Sequence, residues 1–243
     1  MQRAYEKRVY RSKVRTRGLH SFCVRVKETD LWISAGLDLE QKARDLVFQC
    51  RYEIESYLKT HPFFKISLRP LTPDSYAPPL VREMIASSGK AGVGPMAAVA
   101  GAIAQYVGKG LLEYTNEVIV ENGGDIYLKA ERPVTVSILA GDSPLSGRIG
   151  MSIPVEQMPL GVCTSSGRVG HSLSMGISHA VSILAPSAVL ADSAATALAN
   201  TIMEKKDLES VASVAGNIPG IFGGVAILGD TMASWGAVRL ITF

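Results

Sequence analysis

Two long runs made largely of Ala, Gly and Ser, residues 91–108 and 173–203, restrict the architecture more than any other part of this chain. Helices and strands with such thin surfaces gain little from facing water, but they let one backbone approach another or a ligand closely. Membrane spans are not expected from them. Spanning takes about 20 strongly apolar residues, and the second run carries His179 and Asp192. The runs therefore predict buried elements in close backbone contact.

Around these runs the periodicity changes repeatedly. Leu39, Ala43, Leu46, Val47, Cys50, Ile54, Tyr57 and Leu58 recur at helical spacing, and Asp38 with Gln41 reads as a capping-box start. His61-Pro62 ends that helix, and Pro70, Pro73, Pro78 and Pro79 make an irregular connection, with a short helix from Pro79 to near Gly89. Pro95 suits the first position of a helix over 96–110. Strands are expected at 22–26, 117–120, 126–129, 134–139, 149–153 and 179–184, helices after Pro186 and over 207–215, and a closing hairpin from 225–228 and 236–243. Elements cluster without βαβ alternation, which predicts an α+β fold, mainly antiparallel sheet packed with helices. With no internal repeat and no linker in view, residues 1–243 read as one domain, with the basic strands of 1–36 integral to it.

Hydrophobic residues make up 47% and charged residues 19%, a folded rather than disordered composition. Net charge is +3, yet the first 27 residues hold nine Lys or Arg against one acid. Arg11, Lys13, Arg15 and Arg17 alternate along one face of an expected strand, which reads as solvated or edge-protecting. No aromatic platform accompanies it, which argues against a nucleic-acid partner. Cys23, Cys50 and Cys163 form no C-x-x-C pair, so neither a disulfide framework nor a zinc site is expected. Residues 1–8 lack the apolar core of a secretory signal, and cytoplasmic localisation is the expectation.

The chemistry concentrates in three segments. Asn122-Gly123-Gly124-Asp125 follows a strand-like run, and paired glycines can form a nest of amides for phosphate oxygens. Gly161-Val162-Cys163-Thr164-Ser165-Ser166-Gly167 reads as a turn rich in small hydroxyls, followed by Arg168 and His171. Asp192-Ser193-Ala194-Ala195-Thr196 opens a helix, so the oxygens of Asp192 and Thr196 share one face and suit a hard cation such as Mg²⁺. His171, in a polar turn, is the acid/base candidate. Cys163 is a candidate thiolate nucleophile if His171 or Arg168 lowers its pKa. His179, in an apolar strand, reads as a satisfied core residue.

In this order the segments from Glu121-Asn122-Gly123-Gly124-Asp125 through His171 to Ala191-Asp192-Ser193-Ala194-Ala195-Thr196-Ala197 resemble the ApbE-like superfamily, which includes FAD:protein FMN transferases. The resemblance covers roughly residues 90–205 and implies a T-fold-related architecture. It also implies that Asn122, Gly123, Gly124, Asp125, Thr164, Ser165, Ser166 and Gly167 border a site for FAD or FMN, that Asp192 and Thr196 hold Mg²⁺, and that His171 and Cys163 are the catalytic candidates. A protein acceptor and homo-oligomerisation are further implications. After His171 the chain reads Ser172-Leu173-Ser174-Met175-Gly176, without the Asp-Pro typical of the transferases, as in a shorter branch partly associated with sulfur assimilation toward homocysteine. Two other functions therefore stand beside flavin transfer: thiol chemistry at Cys163, and a non-catalytic binding scaffold.

Overall fold

The computed structural model describes residues 11, 16, 18–167 and 176–243. The expected basic strand falls almost wholly outside the described residues, as do Arg168 and His171.

Among the described residues, eight strands form one antiparallel sheet in the order β1-β2-β3-β4-β7-β8-β9-β10. β1 (His20–Val26) and β2 (Thr29–Ala35) make a hairpin, α1 (Glu40–Thr60), α2 (Phe63–Ile66), α3 (Pro79–Ala91) and α4 (Val99–Leu111) follow, and β3 (Val118–Asn122) and β4 (Asp125–Lys129) make a second hairpin. The chain then leaves the sheet for β5 (Val134–Ser137) and β6 (Ile149–Ile153). It returns with β7 (Leu160–Ser165) and β8 (Ala180–Ala185), crosses through α5 (Ala188–Ala199) and α6 (Asp207–Ala215), and ends the sheet with β9 (Gly223–Leu228) and β10 (Thr231–Gly236). Each half is thus a strand pair, a helical crossover and a second strand pair, and the halves join where β4 pairs with β7. This duplication of topology has no counterpart in the residue pattern, where no repeat is visible.

The two sides of the sheet bury different partners, as the period-two alternation of strands requires. On one side Cys163, Val181, Ile183, Ala185 and Ala226 pack against α1, α3, α4, α5 and α6. On the other, Leu160, Val162, Leu184, Val225 and Ile227 pack against a three-stranded sheet in the order β11-β6-β5, where β11 is Arg239–Thr242. The result is an α+β fold of three layers.

Several local expectations change for identifiable reasons. Helix α1 buries Ala43, Val47, Cys50 and Ile54 as its spacing demands, but its cap residue is Leu39, and Asp38 Oδ1 instead accepts the Glu40 N–H at 3.2 Å. The helix expected over 96–110 begins as a 3₁₀ turn, Pro95–Ala98, and becomes α4 only where the Asp192 carboxylate caps it from another helix. β2 is fully buried and was not expected; its turn, Lys27-Glu28, lacks Gly or Asn and puts Lys27 at φ 53°. Residues 161–165, read as a turn, are strand β7, paired on both sides. Gly229-Asp230 does close a hairpin, but its second strand is 231–236, while 239–242 crosses to the other sheet.

No single helix among the described residues is long and apolar enough to cross a membrane; α3 and residues 95–111 are jointly apolar but meet at a 105° bend.

The small residues allow α5 to lie against both β7 and α4. A Cβ at Gly161 would overlap the Ala188 backbone, and one at Gly101 would overlap the Ala188 carbonyl and come within 2.8 Å of Asp192 Cβ. We expect Gly161→Ala to destabilise the protein by about 1–3 kcal/mol or more in urea titration, because neither backbone can yield. Gly89→Ala, on an exposed turn of α3 with nothing within 4 Å, should gain roughly 0.5–1 kcal/mol. Equal effects would contradict this packing.

Candidate functional site

Gly123 and Gly124 form the two-residue turn between β3 and β4, with Asn122 paired to Asp125 across it. Their φ angles are 73° and 107°, the left-handed region that a tight hairpin of this kind needs and that glycine enters at least cost. The Gly124 N–H donates to Glu121 Oε1 at 2.9 Å. One amide of the expected phosphate nest is therefore already bonded to a carboxylate of the chain. The other oxygen of Glu121 accepts from Arg11 Nε at 2.7 Å, and Arg11 Nη1 reaches Asp30 Oδ1 at 2.8 Å. Arg11, expected on a solvated face, is instead a largely buried brace between two carboxylates, with its side chain only 12% exposed. Asn122 Nδ2 donates to the Ala100 carbonyl at 3.1 Å, tying this hairpin to the start of α4.

The β4–β7 register places Asp125 opposite Cys163. Asp125 is buried, and its Oδ1 has no hydrogen-bond partner among the described residues. Burial pushes its pKa well up, and the nearby Asp192 charge pushes it further, against partial compensation from the Cys163 thiol and the Thr164 amide. Asp192 sits on the second turn of α5. Its Oδ2 accepts the Gly101 N–H at 2.8 Å, and the Ala100 amide also favours its charged form. Burial outweighs both and raises its pKa to about 7. Thr196 lies one turn further along α5, is buried, and its hydroxyl makes no hydrogen bond among the described residues. Asp192 and Thr196 are thus one turn apart on α5, and Asp125 lies within electrostatic reach of Asp192.

Cys163 lies opposite Asp125 on β7. It is fully buried, and desolvation together with the charges of Asp125 and Asp192 drives its pKa well above that of an ordinary thiol. Its one proton lies between two acceptors, the Ala188 carbonyl at 3.3 Å and the Asp125 carboxylate. The geometry is that of a packed, hydrogen-bonded thiol.

The remaining hydroxyls divide between the faces of β7. Thr164 pairs with Ser182 at 2.7 Å, on the side opposite Cys163. Ser165 returns to the helical side, where its buried Oγ has no partner among the described residues. Ser166 Oγ and the Gly167 N–H both donate to the Ser178 carbonyl. His179 is a bonded core residue: its Nδ1 accepts the Gly229 N–H at 3.0 Å, and its Nε2 lies 3.1 Å from Asp142.

Two functional contributors escaped the residue-level reading. Glu121 holds the glycine turn, and Gln105 holds α5: its Oε1 accepts the Ala188 N–H at 2.8 Å while its Nε2 donates to Glu83 at 2.6 Å. A lone Gln inside an Ala- and Gly-rich run was the available signal, since a buried amide must find partners. No group of three or more His, Cys, Asp or Glu among the described residues is arranged to hold a metal. A cation here would combine two carboxylates with a hydroxyl. These are hard oxygen donors, as Mg²⁺ prefers, and Asp125 Oδ1 is an oxygen in need of a partner. A separate hollow of about 600 Å³, lined by Tyr57, His61, Phe63, Asp74 and Tyr76, contains none of these residues.

This fold is shared with solved structures of the ApbE-like superfamily. The ApbE protein of Thermotoga maritima superposes with a TM-score of 0.59 at 12% identity, over 89% of this chain and 96% of that one. The apo flavinyl transferase ApbE of Pseudomonas stutzeri gives 0.57 at 15% identity, over 90% and 94%. Within that superfamily, the chain belongs to the family described as AbpE bacteria, whose model matches residues 11–216. Its relatives include UPF0280 proteins. That of Methanocella arvoryzae is 39% identical over 217 residues, 89% of this chain and 88% of the relative. That of Methanospirillum hungatei is 43% identical over 194 residues, 79% and 77%.

The buried carboxylates make a prediction for the metal-free protein. A carboxyl whose folded pKa exceeds its unfolded value stabilises the fold most at low pH, and that contribution is lost as pH rises from the unfolded toward the folded pKa. For Asp192 the window runs from the ordinary carboxyl value of 3.8 to about 7. Stability should fall across it by on the order of 4 kcal/mol at most. Asp192→Asn should flatten the profile in urea titrations between pH 4.5 and 8, and an unchanged slope would refute the assignment.

Proposed function

We propose that this chain binds a flavin dinucleotide and catalyses Mg²⁺-dependent transfer of FMN from FAD to a protein hydroxyl. The observation that carries the proposal is the buried Asp125–Asp192 pair beside the Thr196 hydroxyl, with no basic side chain ion-paired to either carboxylate among the described residues. The fold shared with flavin transferases supports the same reading.

In this proposal Asp192 and Thr196 hold the cation, which neutralises pyrophosphate charge when bound. The acceptor hydroxyl oxygen forms a new bond to the FMN phosphorus, the pyrophosphate P–O bond breaks, and AMP leaves with the bridging oxygen. The hydroxyl proton passes to a base, the role that motif order assigns to His171. Asn122 keeps the glycine hairpin against α4, and Ser165 offers its unpartnered hydroxyl to the ligand. Thr164, bonded on the opposite face, keeps the sheet in register instead of touching the ligand. Cys163 serves as a packing and hydrogen-bonding residue beside Asp125.

FAD binding followed by quenching of flavin fluorescence, with and without Mg²⁺, tests this directly. Affinity should rise with Mg²⁺, and Asp192→Ala should lower it roughly ten-fold or more only when Mg²⁺ is present. Absence of FAD binding under both conditions would overturn the reading.

A further inference from the structure

We propose that Asp125 is a direct ligand of the cation, so that the metal is held by oxygens from both halves of the fold: Asp125 from β4, and Asp192 and Thr196 from α5. The inference rests on the cation-dependent reading above and adds to it a residue that otherwise only borders the dinucleotide.

Three observations converge on Asp125. Its Oδ1 is buried and has no hydrogen-bond partner among the described residues, although Asn122 and Gly124 on the same hairpin are bonded. A buried carboxylate oxygen left in that state is costly, and a metal ion is one of the few partners that removes the cost. Strand β4 packs directly against helix α5, which carries Asp192, so two buried carboxylates lie on neighbouring elements with no basic side chain ion-paired to either among the described residues. Asp192 is itself fixed in place: its Oδ2 caps α4 through the Gly101 amide, which holds this carboxylate on the helix packed against β4.

The donor chemistry also selects the ion. Two carboxylates and a hydroxyl are hard ligands that suit Mg²⁺ or Mn²⁺. The adjacent Cys163 sulfur is directed at the Ala188 carbonyl at 3.3 Å. Strand β4 and helix α5 meet across the seam between the halves, and a shared ion there would replace repulsion by attraction.

The competing arrangement is a buried pair that shares a proton and binds nothing. Titrating the full-length protein with Mn²⁺ alone, by calorimetry and by loss of the free-ion electron paramagnetic resonance signal, separates the two. Wild type should take up one Mn²⁺ per chain, and Asp125→Asn should weaken uptake by about ten-fold or more. Without metal the Asn variant should melt at or above the wild-type temperature, since it removes repulsion, and it should no longer gain stability when Mn²⁺ is added. Should the variant not fold, difference infrared spectra of the wild type with ¹³C-carboxyl-labelled aspartate give a second readout: two buried carboxylates should shift on adding Mg²⁺. Equal Mn²⁺ affinity in wild type and Asp125→Asn, or a shift of a single carboxylate, would overturn the assignment. FAD binding without any metal uptake would also overturn it while leaving flavin binding intact; absence of both would remove the two proposals together.

Discussion

The Asp192 carboxylate, reaching from α5 to the first amides of α4, is the contact around which the rest of the site is arranged. It can form only because Gly101 and Gly161 leave no side chain between α5, α4 and β7. Three backbones then come together at Ala188, whose N–H is held by Gln105 and whose carbonyl accepts from Cys163. One carboxylate thereby does two things. It satisfies amides that a helix start would otherwise leave open, and it places a second oxygen beside Asp125. Burial makes that arrangement expensive in charge and pushes the Asp125 and Asp192 carboxyls up in pKa.

How much of this could be read from the residues depended on whether the signal was local. Helices α1 and α6 follow their periodicity because each buries a stripe that its own spacing defines. The Asp192 and Thr196 pair was legible for the same reason, since four-residue spacing on a helix fixes the shared face. The start of α4 was not, because its cap lies 91 residues away in the chain. Residues 161–165 misled because glycine and small hydroxyls mark turns in most contexts, whereas here Gly161 makes room for Ala188 inside a central strand. The glycine pair at 123–124 was recognised as important, but its amide chemistry was read without Glu121, whose carboxylate takes the Gly124 N–H.

Cys163 is a catalytic candidate by motif order, and membership of the AbpE bacteria family assigns it no role. The thiol has no exposure, and burial together with the charges of Asp125 and Asp192 pushes its pKa up, whereas Arg168 and His171, the residues expected to lower it, lie outside the described residues.

The paired halves carry one more implication. Asp125 comes from the end of the first half and Asp192 from the crossover of the second, so neither half contains the site by itself. Any ligand that grips both would act as a clasp across the β4–β7 seam, favouring the joined sheet by mass action over a parted one. Occupancy and cohesion would then be a single equilibrium viewed from two sides.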